Sequence, residues 1–376
     1  METVFIDGSA GEGGGQILRT SLTLACVTGR NLHIENIRAA RRNPGLAKQH
    51  LSCVLAACQI CDGGCEGAAL GSQTLDFRPG RIHGGDYSFD IGSAGSASLV
   101  IQTVLPALFL ADEPSTVTVT GGTHNPWAPP FDFLSESFLP AIENGGFDAD
   151  CKLIKHGFFP AGGGRITFAV RPWQEGTGNE IDLCDPDAEE RFTAEPAESA
   201  EKESRRAGTK ISAVSAFPAV NSSRQIHARI YTAKLPDRVA QRQRTLLLQS
   251  RLDIANIEHI EATDSDGPGN CVMLRICGAR RTTVFTAFGA KGKPSEKVVA
   301  EVTDLAESFS GSGAAVDRFL ADQLLIYMAI AKTGSYTTSD LSTHLTTNIE
   351  TIKKFLPVNF TIAHQEKIHR ISCASV

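Results

Sequence analysis

Apolar and polar positions along this chain fall into a pattern that recurs. The stretches "DGSAGEGGGQILRTSLTLACVTG" (7–29), "DIGSAGSASLVIQTVLPALFLA" (90–111) and "FSGSGAAVDRFLADQLLIYMAIAKTG" (309–334) each set a Ser/Gly turn before a long apolar helix. A second helix follows each time, with an asparagine at its expected start: Asn43 in "NPGLAKQHLSCVLAACQI", Asn125 in "NPWAPPFDFLSESFLPAIENGG" and Asn348 in "NIETIKKFLPV". Asparagine is a good N-cap, and proline suits the first helical turn. Alternating stretches such as "CKLIKHGFFPAGGGRITFAV" and "VNFTIAHQEKIHRISC" then predict antiparallel strand pairs. The interval from Asn43 to Asn125 makes each unit roughly 80 residues, a whole αβ subdomain rather than a solenoid repeat.

The third unit is displaced along the chain. After "ITFAVRPW" comes an acid-rich stretch of low hydrophobicity, "NEIDLCDPDAEERFTAEPAESAEKESRRAG" (179–208), which reads in large part as a mobile surface linker. Strand-like "KISAVSAFPAV" and "QIHARIYTA", a helix "RVAQRQRTLLLQSRL" and strand-like "CVMLRICG" follow, enough for a small αβ domain. The expected organisation is therefore α+β, an αβ sandwich. Residues 1–180 carry the first two units, 181–280 an inserted αβ domain, and 281–376 the third unit. A chain of 376 residues is too long for one ordinary core, which agrees with more than one domain.

Composition narrows the function classes. With 41% hydrophobic and 21% charged residues the chain reads as a globular protein, and no apolar run reaches the length of a membrane span. "METVFIDG" lacks the basic-then-apolar pattern of a secretory signal. Ten cysteines without such a signal point to reduced thiols in the cytosol or nucleus. Cys53, Cys58, Cys61 and Cys65 cluster, but they match no paired C-x-x-C spacing, and three of them sit in the Ala/Leu-rich "HLSCVLAACQIC". There they read as small hydrophobes. A net charge of −6 argues against a generally sticky nucleic-acid binder. Between Arg19 and Lys48, however, stand six basic residues against the single acid Glu35.

That basic run lies beside a glycine-rich loop. "FIDGSAGEGGGQILRT" places five glycines within eight residues between a strand and a helix, as in phosphate cradles. Neither the P-loop signature nor G-x-G-x-x-G is present, and no lysine follows. Arg38, Arg41 and Arg42 in "IRAARRNPGLAKQH", with Arg19, can supply the missing positive charge, since arginine binds phosphate oxygens bidentately. A solvated basic face is the plain alternative for any one of them. Glu12 would face phosphates only through a cation such as Mg²⁺; otherwise it is a carboxylate favoured by the helix N-terminus it precedes.

Two further residues have chemistry to offer. His344 stands in the Ser/Thr-rich turn "SDLSTHLTTN", where a histidine is most often a hydrogen-bonded scaffold. A neutral imidazole can instead attack a nucleotide α-phosphate and form a labile phosphoramidate. Asp322, with Gln323, lies in the mostly apolar helix "DRFLADQLLIYMAIA" and could orient an imidazole or contact a nucleotide; an exposed helix-face carboxylate is the bland reading. His50 and His124 lie beside these segments, whereas His227, His259, His364 and His369 look structural.

Taken together, "GEGGGQILR", "IRAARRNPGLAKQHL", "GSAGSASLVIQTVLPAL", "GGTHNPWAPP", "HGFFPAGGG", "FLADQ" and "HLTTNI" closely resemble the RNA 3′-terminal phosphate cyclase family, in the family's order and over nearly the whole chain. The resemblance implies three βαβαββ-type units with an inserted βαβαββ domain. It implies ATP-dependent conversion of an RNA 3′-phosphate to a 2′,3′-cyclic phosphate, with AMP and pyrophosphate released. His344 matches the histidine that becomes adenylylated, and Glu12 the loop glutamate that helps hold Mg²⁺ or Mn²⁺. Gln102 and the run Phe319, Leu320, Ala321, Asp322 and Gln323 match ATP-contacting positions. Arg19, Arg38, Arg41 and Gln49 match polar residues around phosphates. The partner implied is RNA with a 3′-terminal phosphate, with no membrane and no obligatory protein partner evident, in nucleus or cytoplasm.

Two other functions compete. The family includes a non-catalytic ribosomal-RNA processing factor, and the presence of His344, Asp322 and Arg19 argues against that role. An enolpyruvyl-transferase-like enzyme shares the repeat architecture, but nothing in its chemistry needs His344. The acidic stretch between Trp173 and Lys210 looks longer than the family's usual connection, and Arg42 is an extra arginine without an assigned role.

Overall fold

A computed structural model of the chain describes residues 2–11, 13–176, 180–184, 224–278, 281–365 and 367–376. The first unit runs β1 (Thr3–Asp7), α1 (Gly15–Thr28), β2 (Asn31–Glu35), α2 (Lys48–Ile60), β3 (Gly64–Glu66) and β4 (Leu75–Arg78), with sheet order β1-β2-β4-β3. The second repeats it with β5 (Gly85–Asp90), α3 (Ala97–Leu108), β6 (Ser115–Gly121), a composite helix α4, β7 (Ala149–Lys155) and β8 (Gly164–Val170), ordered β5-β6-β8-β7. Helix α4 comprises Phe131–Phe133, a π-helical turn over Leu134–Phe138 and Leu139–Glu143. In both sheets the first two strands are parallel and the remaining pairs antiparallel. Parallel neighbours need a crossover, which the first helix of each unit supplies.

The third unit is split. Its first strand is β9 (Asp182–Leu183), which pairs in parallel through Ser335 and Tyr336 with a strand far downstream. Between them stand β10 (Gln225–Ala233), α5 (Arg238–Leu248), β11 (Ile254–Glu261), β12 (Gly269–Cys277), β13 (Thr282–Phe288) and α6 (Ser295–Ser310), whose sheet is ordered β11-β10-β12-β13. The unit resumes with α7 (Arg318–Ala331), β14 (Thr333–Thr338), α8 (Thr343–Lys353), β15 (Val358–Gln365) and β16 (Ile368–Ser375), giving β15-β16-β14-β9.

The insert thus lies inside the third unit, between its first strand and first helix, rather than ahead of it. Part of the acidic stretch expected as linker is strand β9. The expected boundary at 280 falls between two paired strands, since Cys271–Cys277 pair with Thr282–Phe288. Val298, Val302 and Phe309 of α6 then pack on Phe285 and Leu274 in a second core, separate from the one shared by the three units. Among the described residues the insert reads βαβββα, not βαβαββ. The strand expected at 210–220 and the carboxylate Glu12 lie outside the described residues.

The asparagines are not N-caps. Helices α2 and α4 are preceded by Ala47 and Pro130, and the cap of α8 is Ser342, whose hydroxyl accepts from the Leu345 N–H. After Asn43 and Asn125 the chain meets Pro44-Gly45 and Pro126 through Pro130, which postpone helical dihedrals by several residues. Asn348 lies a full turn inside α8, so His344 belongs to that helix's first turn rather than to a preceding loop.

Candidate active site

Helices α1, α3, α7 and α8, with α4 and the insert opposite, surround a cavity of about 720 Å³. Each helix turns a stripe with helical spacing towards it. Helix α1 presents Gln16, Arg19, Thr20 and Thr23, and α7 presents Phe319, Asp322, Gln323 and Ile326. Helix α3 buries every residue except Leu99 and Gln102, and those two line the cavity. Helix α8 contributes His344 and Asn348. Pro129, Pro130 and Phe133 form an apolar wall, and Val284, Ala287 and Phe288 bring the insert to the far side.

A relay of hydrogen bonds ties three of these helices together. His344 Nδ1 lies 2.7 Å from Gln16 Oε1, and Gln16 Nε2 donates to Asp322 Oδ2 at 2.7 Å. With the amide in this orientation, Nδ1 carries the imidazole proton and Nε2 the lone pair, the tautomer a nucleophilic histidine requires. Asn348 supports the relay by donating to the Asp322 carbonyl at 2.8 Å and accepting from Thr20 Oγ1 at 2.6 Å. Gln102 donates to Gln323 Oε1, and Gln323 donates to the Phe319 carbonyl at 2.6 Å.

Burial pushes the Asp322 carboxyl up to about 7, against the Gln16 hydrogen bond and the Arg19 charge, which favour ionisation. His50, on α2, is pushed down to about 3 by burial and by the charges of Arg19, Arg38 and Arg41. Three of the predicted arginines therefore converge electrostatically on one point beside the glycine loop. That loop is pressed between two helices. A Cβ on Gly11, whose φ is 55°, would stand 2.2 Å from Thr347 Oγ1, and one on Gly15 would stand 2.2 Å from His50 Nε2. No side chain caps α1, whose N-terminus favours anions.

The predicted residues divide into four sets. His344, Asp322, Arg19, Gln102, Phe319 and Gln323 all line the cavity. Arg38, Arg41 and Gln49 lie off it: Arg38 donates to the Gly45 carbonyl at 2.7 Å, and Gln49 accepts from the Ser96 N–H at 2.7 Å. Leu320 and Ala321 turn into the core, 5% and 1% exposed, because a helix cannot direct five consecutive side chains to one face. Glu12 is outside the described residues. Sequence reading overlooked Gln16, Thr20 and Asn348, although polar residues at 16, 19, 20 and 23 on an otherwise apolar helix mark that face. It also overlooked the wall from the insert.

The family model described as RNA 3′-terminal phosphate cyclase matches residues 10–362. A protein of that name from Koribacter versatilis is 41% identical over 380 aligned residues, covering 100% of this chain and 96% of its own. One from Ralstonia nicotianae is 42% identical, covering 95% and 92%, and one from Ectopseudomonas mendocina 39%, covering 99% and 98%. These relatives are bacterial and give the expected nuclear placement no support. Among the described residues no helix is long and apolar enough to cross a membrane. A match this long, over a fold of three like sheets and one insert, has one reading: the chain belongs to the RNA 3′-terminal phosphate cyclase family.

Proposed function

We propose that the protein is an ATP-dependent RNA 3′-terminal phosphate cyclase that carries AMP on His344. The observation behind this reading is the relay from His344 through Gln16 to Asp322 in a cavity large enough for a nucleotide. His344 Nε2 attacks the α-phosphorus of ATP, forming an N–P bond as the bond to pyrophosphate breaks. Positive charge that develops on the imidazole is held by the Nδ1–H hydrogen bond to Gln16, which Asp322 orients. An oxygen of the RNA 3′-phosphate then displaces the imidazole from the AMP phosphorus. The vicinal 2′-oxygen closes on the 3′-phosphorus and expels AMP, leaving the cyclic diester.

Arg19 lies one turn from Gln16 and faces the phosphates of this sequence, while Arg38 and Arg41 extend the positive field past His50. A divalent ion, Mg²⁺ or Mn²⁺, would offset triphosphate charge, with Glu12 its expected carboxylate. No group of three or more His, Cys, Asp or Glu side chains stands ready to hold an ion among the described residues. The nucleotide's own oxygens would complete such a site. The bacterial relatives favour a cytoplasmic protein.

Incubation with α-³²P-labelled ATP and Mg²⁺, without RNA, tests the reading by denaturing electrophoresis. The expected label is acid-labile and alkali-stable, and it disappears in His344→Ala. An unlabelled, folded, metal-replete protein would leave the RNA-binding, non-catalytic role in its place.

A further inference from the structure

Trp127 is 93% exposed, the most exposed large apolar side chain among the described residues, and it lines the same cavity as His344. Its φ of 63° is in the left-handed region that bulky residues rarely adopt. The loop around it is rigid. Pro126, Pro129 and Pro130 restrict the backbone, His124 is fully buried against Asp132 at 2.9 Å, and the Phe131 N–H donates to the Thr123 carbonyl at 3.0 Å. A stiff, strained loop thus holds an indole out into water at the cavity's mouth. Packing does not explain it, because so exposed a ring covers almost nothing.

We propose that Trp127 is a stacking platform for a base of the RNA strand. The inference rests on the cyclase reading above. There, the strand's 3′-phosphate reaches towards His344 while the rest of the strand leaves through the mouth, past the rim. Unpaired bases are commonly held by stacking on exposed aromatic faces, with little demand on base identity. The nucleotide's adenine has a different aromatic available: Phe319, on the cavity's α7 wall, is 43% exposed with the Arg318 guanidinium 5.8 Å from its ring centroid. Trp127 is left for the strand.

The chain has only two tryptophans, which makes the test direct. Trp173 stacks on Phe147 at 5.0 Å and donates to the Gly145 carbonyl at 2.8 Å. In Trp173→Phe, emission reports Trp127 alone. A 3′-phosphorylated oligoribonucleotide should quench it, and ATP should not. In the otherwise native chain, Trp127→Ala should raise the RNA KM about 5- to 100-fold and Trp127→Phe should recover much of the loss. The KM for ATP, read from RNA-independent adenylylation, should stay as it was, as should the thermal midpoint. A raised ATP KM in Trp127→Ala, or quenching by ATP, would make the ring an adenine platform and overturn the proposal. So would an unchanged RNA KM together with no quenching by RNA. If native protein takes no label from ATP, the cyclase reading fails, while quenching by RNA still decides the role of Trp127.

Discussion

At the scale of single residues, the chemistry turns on how one imidazole is held. Gln16 joins His344 to Asp322 across 328 and 306 positions of sequence. Gln16→Leu keeps the volume but removes both hydrogen bonds. We expect adenylylation to slow by about 10- to 100-fold, since a hydrogen bond to a charged group contributes about 1.5–3 kcal/mol; single-turnover labelling measures it. Asp322 gives the relay a pH dependence. Its carboxyl is raised to about 7, so the ionised form that accepts from Gln16 fills in as pH rises through neutrality. Adenylylation should climb over that range, and Asp322→Asn should flatten the climb. Stability runs the other way. A carboxyl with a raised folded-state pKa is most stabilising when protonated, and its contribution is lost as pH rises from about 4 through 7. The thermal midpoint of Asp322→Asn should therefore gain on that of the native protein between pH 4 and pH 8.

At the scale of elements, helix ends determine where these residues sit. Helix α7 is capped by Asp317, whose Oδ1 accepts from the N–H groups of Phe319 and Leu320 at 2.8 and 3.2 Å. Asp317→Ala should cost about 1 kcal/mol in chemical denaturation, while Asp317→Asn keeps most of the cap. The glycine loop bears on α8 in the same way. Gly11→Ala places a methyl group where Thr347 Oγ1 stands, at a φ of 55° that alanine resists. It should both destabilise the protein and depress adenylylation, with Thr347→Ala partly restoring both. Such details were poorly visible in the sequence. Asn43, Asn125 and Asn348 are chemically apt caps, yet neighbouring prolines and glycine moved two helix starts downstream, and Ser342 caps the third helix. The run "FLADQ" was found as a unit, but the 3.6-residue period sends Phe319, Asp322 and Gln323 to the cavity and Leu320 and Ala321 to the core.

For the molecule as a whole, the insert is a wall of the cavity, and a buried polar hub fastens it. Asp132 of α4 accepts from Tyr231 at 2.7 Å and Arg229 at 3.0 Å, both on β10, and pairs with His124 at 2.9 Å. Glu136, one turn on, accepts from Arg229 and from Arg275 of β12. Burial raises the Asp132 carboxyl, but His124, Tyr231 and Arg229 outweigh it and hold it at about 2. Its contribution is present above pH 4 and is lost as pH falls towards 2. Asp132→Ala leaves Arg229 and Tyr231 facing a buried gap and should cost about 3–5 kcal/mol. Denaturant unfolding at pH 7 would show it. That loss should shrink in acid as the native carboxylate protonates.

Local chemistry alone was enough to reveal the three repeats, the mixed α+β class and the cavity residues Arg19, Asp322, Gln323 and His344, because each rests on short-range patterns: helical and strand periodicity, turn residues, and charges set beside glycines. Distance in space was another matter. That His344 would meet Gln16, that the insert would open after β9 and close the cavity with β13, and that Arg38 and Arg41 would lie off the cavity around His50 depend on which surfaces pack together. The relay and the insert's wall join residues hundreds of positions apart, and the energies of all these pairings come from burial and from mutual satisfaction of polar groups, neither of which a local pattern contains.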